Sequence, residues 1–438
     1  MRRSKLNLIV LLALSAWETG ALAGESTEPV DAAPFESDSL FRAQTPEGVP
    51  SLQLSTDFVS PELSFGDYGP MGRVQSRGVK AGPFTIRVAA QAGIGYDSNV
   101  AASQTDRISS MFSTLNPSVA VGLEGATQRY HLVYRGNYGI YTSSSEDNYD
   151  DHSLTLSAGN DWTTRFRTTA AYEYLRGHTP RGATTDTLSR QEEWDVNAVR
   201  GTASYGASGA RGGLEGSLGY SERRYATSRA TSAIRDYDRF DASGAFLYRI
   251  APRTRGLVQV EYSDLQHPND PSLDSTESRY LVGATWDVLA KTQGSLRVGY
   301  MTKDFAQAAR GEFSGPTYQG AITWSPLTYS QINLNARRTF GESVESGSIF
   351  VVATRVTAAW NHAWSDRVQT TLGYGYGRLE HEGAARTDTY QNVTGRMSYA
   401  IERWWRVGAE IRYDNRDSNT PAFNYKRAVT LLTMEAAI

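Results

Sequence analysis

The sequence predicts an all-β fold, a transmembrane antiparallel up-and-down β-barrel of roughly 18 strands. Three observations predict it. One segment alternates apolar and polar residues for longer than an ordinary strand. Short turns alternate with long polar connections along the chain. The composition is rich in Tyr and Gly yet holds no apolar run after the first residues that could span a membrane as a helix.

The alternating segment is Phe84 to Asn99, FTIRVAAQAGIGYDSN. Side chains point to opposite faces of a strand with period two. Phe84, Ile86, Val88, Ala90, Ala92, Ile94 and Tyr96 share one face, and Thr85, Arg87, Ala89, Gln91, Gly93, Gly95 and Asp97 the other. An ordinary strand has about 5 to 6 residues, whereas a tilted membrane strand needs roughly 9 to 11 to cross the hydrocarbon. The segment therefore reads as a lipid face and a wet face. A large soluble barrel or sandwich would show the same alternation, and the rest of the chain separates the two.

Short turns are expected at Gly125 to Gln128, Gly159 to Thr164, Gly206 to Arg211, Ala251 to Thr254, Leu289 to Gln293, Pro326 to Ser330, Trp364 to Asp366 and Glu402 to Trp404. Longer connections run at Ala101 to Ser110, Gly177 to Arg190, Ala226 to Ser232, Gln266 to Ser275, Ala306 to Glu312 and Asp417 to Ala422. Outer-membrane barrels have this asymmetry, with short periplasmic turns and longer outer loops, and an even strand number leaves both ends periplasmic. The strands between repeat the sorting of the first. Tyr130, Leu132, Tyr134, Tyr138 and Ile140 alternate with His131, Val133, Arg135, Asn137, Gly139 and Tyr141, and Trp405, Val407, Ala409, Ile411 and Tyr413 with Arg406, Gly408, Glu410, Arg412 and Asp414. Glu192 to Tyr205 changes phase near Ala198 and Val199, which predicts a bulge or a different strand boundary. The last strand, Tyr425 to Ile438, is expected to close the barrel against the first. It ends in Ile438 rather than in an aromatic residue.

Arg2, Arg3 and Lys5, the apolar run Leu6 to Leu14 and the small-residue pattern Ala21-Leu22-Ala23 form a secretory signal at residues 1–23, with cleavage expected after Ala23. Gly24 to Gly82 mixes six prolines with Asp, Glu and Ser and shows no sustained alternation. It reads as an irregular periplasmic leader, either a tether or a plug, ahead of a barrel at 83–438. Without Cys there is no disulfide framework, thiolate metal site or lipidated cysteine, and a net charge of −3 argues against a nucleic-acid partner. The mean hydropathy of −0.46 excludes a bundle of membrane helices. Membrane crossing must then be made by a closed barrel, in which every backbone group is paired between strands. The expected surroundings are outer-membrane lipid and the barrel-assembly machinery.

A charged group facing lipid costs several kcal/mol near the midplane, so the polar faces must line a wet lumen. The inward parity then collects Arg87, Arg135, Arg167, Arg297, Arg337, Arg396, Arg406, Arg412 and Arg427, with Glu173, Glu215, Glu261 and Glu410 opposing them. Two readings stand side by side: a lumen that attracts an anionic solute by focusing the field of fixed cations, or Arg–Glu ladders that hold neighbouring strands together. Of the six histidines, His131, His152, His178, His267, His362 and His381, only His131 falls clearly on a lumen face. Ser and Asp are so abundant that any catalytic triad could be nominated, so no catalytic residue is named and no enzyme is expected. Glu146 to Asp151 lacks the spacing and glycine of a calcium loop and reads as a solvated loop tip. No metal or cofactor is expected.

Gly95-Tyr96-Asp97-Ser98-Asn99 after an alternating run resembles the glycine-tyrosine-aspartate-x-asparagine signature of the putative beta-barrel porin 2 family. Tyr130-His131-Leu132-Val133-Tyr134, followed by Tyr138, Tyr141 and Asn148-Tyr149-Asp150-Asp151-His152, is similar to that family's tyrosine-rich strand and aspartate–histidine strand opening. The resemblance implies an integral outer-membrane barrel of the kind associated with exopolysaccharide or capsule export, with periplasmic export proteins as partners and no catalytic residues. A conduit for an anionic polysaccharide is the expected function. A general or solute-specific porin, or a structural or adhesive barrel displaying its loops, are the alternatives.

Overall fold

The computed structural model describes residues 78–182, 190–207, 209–288, 291–341 and 350–438. The expected signal and the leader up to residue 77 lie outside these residues. A three-residue strand, β1 (Val79–Ala81), precedes the long ones. The first half of the barrel is β2 (Phe84–Asp97), β3 (Ser110–Glu124), β4 (Gln128–Tyr141), β5 (Tyr149–Asp161), β6 (Phe166–Thr179), β7 (Glu192–Tyr205), β8 (Gly212–Tyr225), β9 (Tyr237–Ala251) and β10 (Thr254–Gln266). The second half is β11 (Ser275–Val288), β12 (Thr292–Phe305), β13 (Glu312–Leu327), β14 (Ser330–Gly341), β15 (Phe350–Ala363), β16 (Val368–Glu382), β17 (Arg386–Glu402), β18 (Trp405–Ser418) and β19 (Tyr425–Ala437).

All belong to one 19-stranded sheet, in which each long strand pairs antiparallel with the next. β19 returns to β2, with Val429 opposite Asp97 and Ala437 opposite Ala89, so β2 to β19 close as an 18-strand barrel. Closure pairs the backbone between strands around the barrel, which is what lipid requires. At the seam Ile438 exchanges backbone bonds with Val88 at 2.9 and 3.2 Å. Past that point β19 has ended, and β1 takes its place: Val79, Lys80 and Ala81 pair with Ile86, Thr85 and Phe84. Gly82 makes the reversal in the left-handed region, φ +61°, where a Cβ would be strained. The end of the segment expected to be irregular is thus a strand.

The two faces differ as membrane strands must. On β2, Val88, Ile94 and Tyr96 are exposed, while Gly95 and Asp97 on the opposite face are buried. Val258, Val260 and Tyr262 on β10, Leu296, Val298 and Tyr300 on β12, and Ile411 and Tyr413 on β18 continue the exposed band. Exposed Tyr205, Tyr248 and Trp324 border it where strands meet the short turns, and Tyr220, Tyr262, Tyr280 and Tyr300 border it toward the long loops. Aromatic girdles at both interfaces frame a hydrocarbon-facing belt of Val, Leu and Ile. No helix among the described residues is long and apolar enough to cross a membrane.

β7 corrects one expectation. It pairs with β6 and with β8 without a register shift, so there is neither a bulge nor a misplaced boundary. What changes near Ala198 is the surroundings. Trp194, Val196 and Ala198 turn inward and pack with Tyr225 and Leu175. On the outer face, Asp195 and Asn197 accept hydrogen bonds from the Tyr174 and Tyr172 hydroxyls, both at 2.9 Å. The strand projects past the lipid, where its outer face is wet and its inner face is packed.

A second departure lies at the β14–β15 hairpin. The ladder between β13 and β14 stops at Tyr318 opposite Arg338. Beyond it both faces of the hairpin are buried: Phe340, Phe350 and Val352 pack on Met301, and Val351 and Ala353 on Leu379 and Tyr390. Since Met301, Leu379 and Tyr390 belong to inner faces, the hairpin end leans into the lumen.

Candidate functional site: a cationic lumen

The ladder places every arginine and glutamate singled out from the sequence on the inner face. They divide into two groups by what they touch. Arg396 and Glu410 stand opposite each other on β17 and β18, with Nε to Oε2 at 2.7 Å. Arg412 holds Asp414 at 3.0 Å, and Arg427 Nε donates to Asp97 at 2.8 Å across the closing seam. Glu261 receives Arg279 at 3.1 Å. These pairs are the ladder reading made concrete: each joins neighbouring strands or stiffens one, and each cancels its own field. Glu173 faces Arg200 and Arg135, and Glu215 lies within the field of Arg255 and Arg297.

The second group is different. Arg297 on β12 stands opposite Gln319 on β13, Gln319 opposite Arg337 on β14, and Arg337 opposite Arg355 on β15. Gly283 and Gly377 flank the row on β11 and β16, so no carboxylate stands in register with it. Arg297 Nη1 reaches Gln319 Oε1 at 3.5 Å. At an interstrand spacing of about 4.8 Å, the row spans roughly 14 Å of lumen wall. A guanidinium presents a planar fork of donors that matches a carboxylate or phosphate in a bidentate grip. Among the described residues no carboxylate lies within 4.0 Å of Arg167, Arg297 or Arg406.

Arg355 and Arg200 were not singled out from the sequence. The signal was present, since Val351, Ala353, Arg355 and Thr357 share a parity on β15. That parity is masked by apolar residues on both faces at the start of the strand, where the hairpin leans inward. Also missed were Glu277 and its cations: Lys303 at 2.8 Å, Arg279 at 3.4 Å and Arg239 at 3.7 Å. Four strands contribute to that cluster together with Glu261, and it closes on itself.

Toward the long loops the lumen is densely packed. Asp388, fully buried, receives Arg386 Nε at 3.0 Å and Nη2 at 2.7 Å, Arg416 Nη2 at 2.7 Å and His381 Nε2 at 3.3 Å. Arg416 also donates to the Gly182 carbonyl at 3.3 Å, tying the β6–β7 connection to the far wall. Arg181 on the same connection donates its Nε to Asp147 at 2.9 Å. Asp147 is therefore buried and paired, which corrects the solvated tip expected for Glu146 to Asp151. Asp151 likewise holds His178 at 2.7 Å and Asn137 at 2.9 Å. His131 does lie on the lumen face, its Nδ1 without a hydrogen-bond partner, and His381 joins it there.

Among solved structures the chain is similar to the Pseudomonas aeruginosa protein OccK2 (OpdF), at 8% identity over 81% of this chain and 97% of that one, TM-score 0.44. It is similar to the FrpB iron transporter from Neisseria meningitidis, at 9% identity over 80% and 81% of the two chains, TM-score 0.42. It is also similar to the copper transporter OprC, at 9% identity over 83% and 84%, TM-score 0.45. No curated protein matches. The family comparison is more decisive, because its model covers the whole barrel from the seam to the closing strand: matched over residues 73–438, this outer-membrane chain belongs to the family described as putative beta-barrel porin 2.

Proposed function

We propose that the barrel is a conduit for an anionic solute, and that an acidic polysaccharide is the solute its lumen suits. The observation that carries the reading is the row Arg297–Gln319–Arg337–Arg355 across β12 to β15. Arg279, Arg396, Arg412 and Arg427 are each matched with a carboxylate. Here three guanidiniums share one level of the wall with a neutral amide between them. An anion passing the row meets guanidinium-bearing positions on three strands of one level, and the low-dielectric wall focuses their field along the path. A polymer with a carboxylate on successive sugars can engage more than one fork at once, which a small anion cannot. The short turns face the periplasm in this reading, and a periplasmic export protein docks there.

The experiment is current block. Open channels in a planar bilayer are exposed to an acidic oligosaccharide, a neutral one of equal length, and the acidic monosaccharide. The reading expects block by the acidic oligomer at concentrations at least tenfold below the monomer, relieved in Arg337→Gln/Arg355→Gln. Equal block by neutral and acidic oligomers would contradict it. Equal potency of acidic oligomer and monomer would leave a small-anion porin.

A further inference from the structure

A recess of about 920 Å³ opens at the turn end, between the turn joining β15 to β16 and the turn joining β17 to β18. Its innermost charged group is Arg406, on the inner face of β18 and only 8% exposed. The Nε and Nη1 atoms of that guanidinium are shielded from solvent and have no hydrogen-bond partner. Glu435 stands across the ladder from it and balances part of its charge from a distance, without forming an ion pair. A buried guanidinium with unsatisfied donors carries the desolvation cost of those donors in full. The rim bears Arg367 and Arg403 with Asp366 and Glu402, all exposed, so the rim is neutral and the buried fork decides what the recess prefers. Ala400, with its small side chain, leaves the space beside the fork.

We infer that this recess binds an oxyanion, a phosphate or carboxylate group held by the Arg406 fork. Such a group would grip one edge of the guanidinium through Nη2 and one of the two unsatisfied donors, and would add to the partial charge balance that Glu435 supplies from a distance. A group of this kind can come from a solute at the mouth of the lumen or from the headgroup of a phospholipid in the adjoining leaflet. The site does not depend on the β12–β15 row: a barrel that passed no current could still bind an oxyanion here, and a conducting barrel could fail to.

The test is equilibrium dialysis of the full chain in detergent against radiolabelled inorganic phosphate, with heat-modifiable gel migration confirming that every variant is folded. Wild-type protein should bind phosphate saturably, and Arg406→Gln should weaken binding at least tenfold. Ala400→Phe, which fills the recess and leaves Arg406 in place, should weaken it comparably, whereas Arg253→Gln, in the exposed β9–β10 turn, should bind as wild type. Native mass spectrometry separates the two sources. Phospholipid retained by wild type, lost from Arg406→Gln and displaced by phosphate would identify the headgroup as occupant. No retained lipid, with phosphate binding unchanged in a phosphatidylglycerol nanodisc, would identify a solute. Unsaturable binding to wild type, or equal affinity in wild type and both recess variants, would overturn the assignment.

Discussion

Asp388→Asn tests the packing of the loop end. The carboxylate is 0% exposed and is shared by two guanidiniums and an imidazole, with Arg386 and Arg416 each reaching Oδ2 at 2.7 Å. Substituting Asn keeps the shape and removes a negative charge that both guanidiniums reach. Breaking a buried ion pair by removing one partner costs about 3–5 kcal/mol, because the other partner is left uncompensated. Two arginines pair with Asp388, so the expected loss lies toward the upper half of that range. At about 1.4 kcal/mol per factor of ten, the folded-to-unfolded ratio falls roughly a thousandfold. Asp161→Asn is the control. Its pair with Arg129 has a similar length, 3.0 Å, but both side chains are about a quarter exposed, at 29% and 24%. It should cost about 0–1 kcal/mol. Urea unfolding in lipid vesicles, followed by tryptophan emission and by gel migration, measures both. Equal losses from the two substitutions, or a loss below about 1 kcal/mol from Asp388→Asn, would refute the argument that burial gives this pair its weight.

Ile411, 64% exposed on the lipid face, should tolerate Arg poorly, at about 2–4 kcal/mol near the midplane, while Arg412→Gln on the wet face should leave barrel assembly intact; comparable damage from both would reverse the face assignment. Cysteines at Gln307 in the β12–β13 connection and Asp366 in the β15–β16 turn are both exposed, and an impermeant maleimide on intact cells should label the first and not the second. Deleting residues 78–82 removes β1 and leaves Phe84 to Ile86 without their outer partner, so the barrel should close through the β19–β2 ladder but lose heat-modifiable migration at a lower temperature.

The period-two sorting of Phe84 to Asp97 and of Trp405 to Ser418 reads straight off the chain, because a charge cannot face lipid and an aliphatic side chain gains little from facing water. The short turns are legible for the same reason: Gly125 and Gly206 sit where the alternation stops, and the strands end there. Legibility fails where the strands leave the membrane. At Trp194, Val196 and Ala198 the inner face turns apolar and the outer face polar, so a sorting rule built on lipid inverts and imitates a bulge. At Phe350 to Ala353 both faces are covered, and the parity of Arg355 disappears behind them. Which arginines are ladders could not be read from one strand at a time. Arg396 finds Glu410 and Arg427 finds Asp97 only through a register that two or more strands define together, and the row from Arg297 to Arg355 emerges only when four strands are laid side by side.

The reversal potential across a planar bilayer with a tenfold KCl gradient tests the cationic lumen most directly. Wild-type barrel should prefer chloride at 0.1 M salt. The preference should shrink toward neutrality near 1 M, where the screening length falls to about 3 Å and fixed charges act only on what they touch. Arg337→Gln/Arg355→Gln should lose most of it with the barrel still folded, while Arg396→Gln/Glu410→Gln, which removes a matched pair, should change it little. A cation-preferring wild-type channel, or an anion preference that survives loss of Arg337 and Arg355 unchanged, would contradict the account.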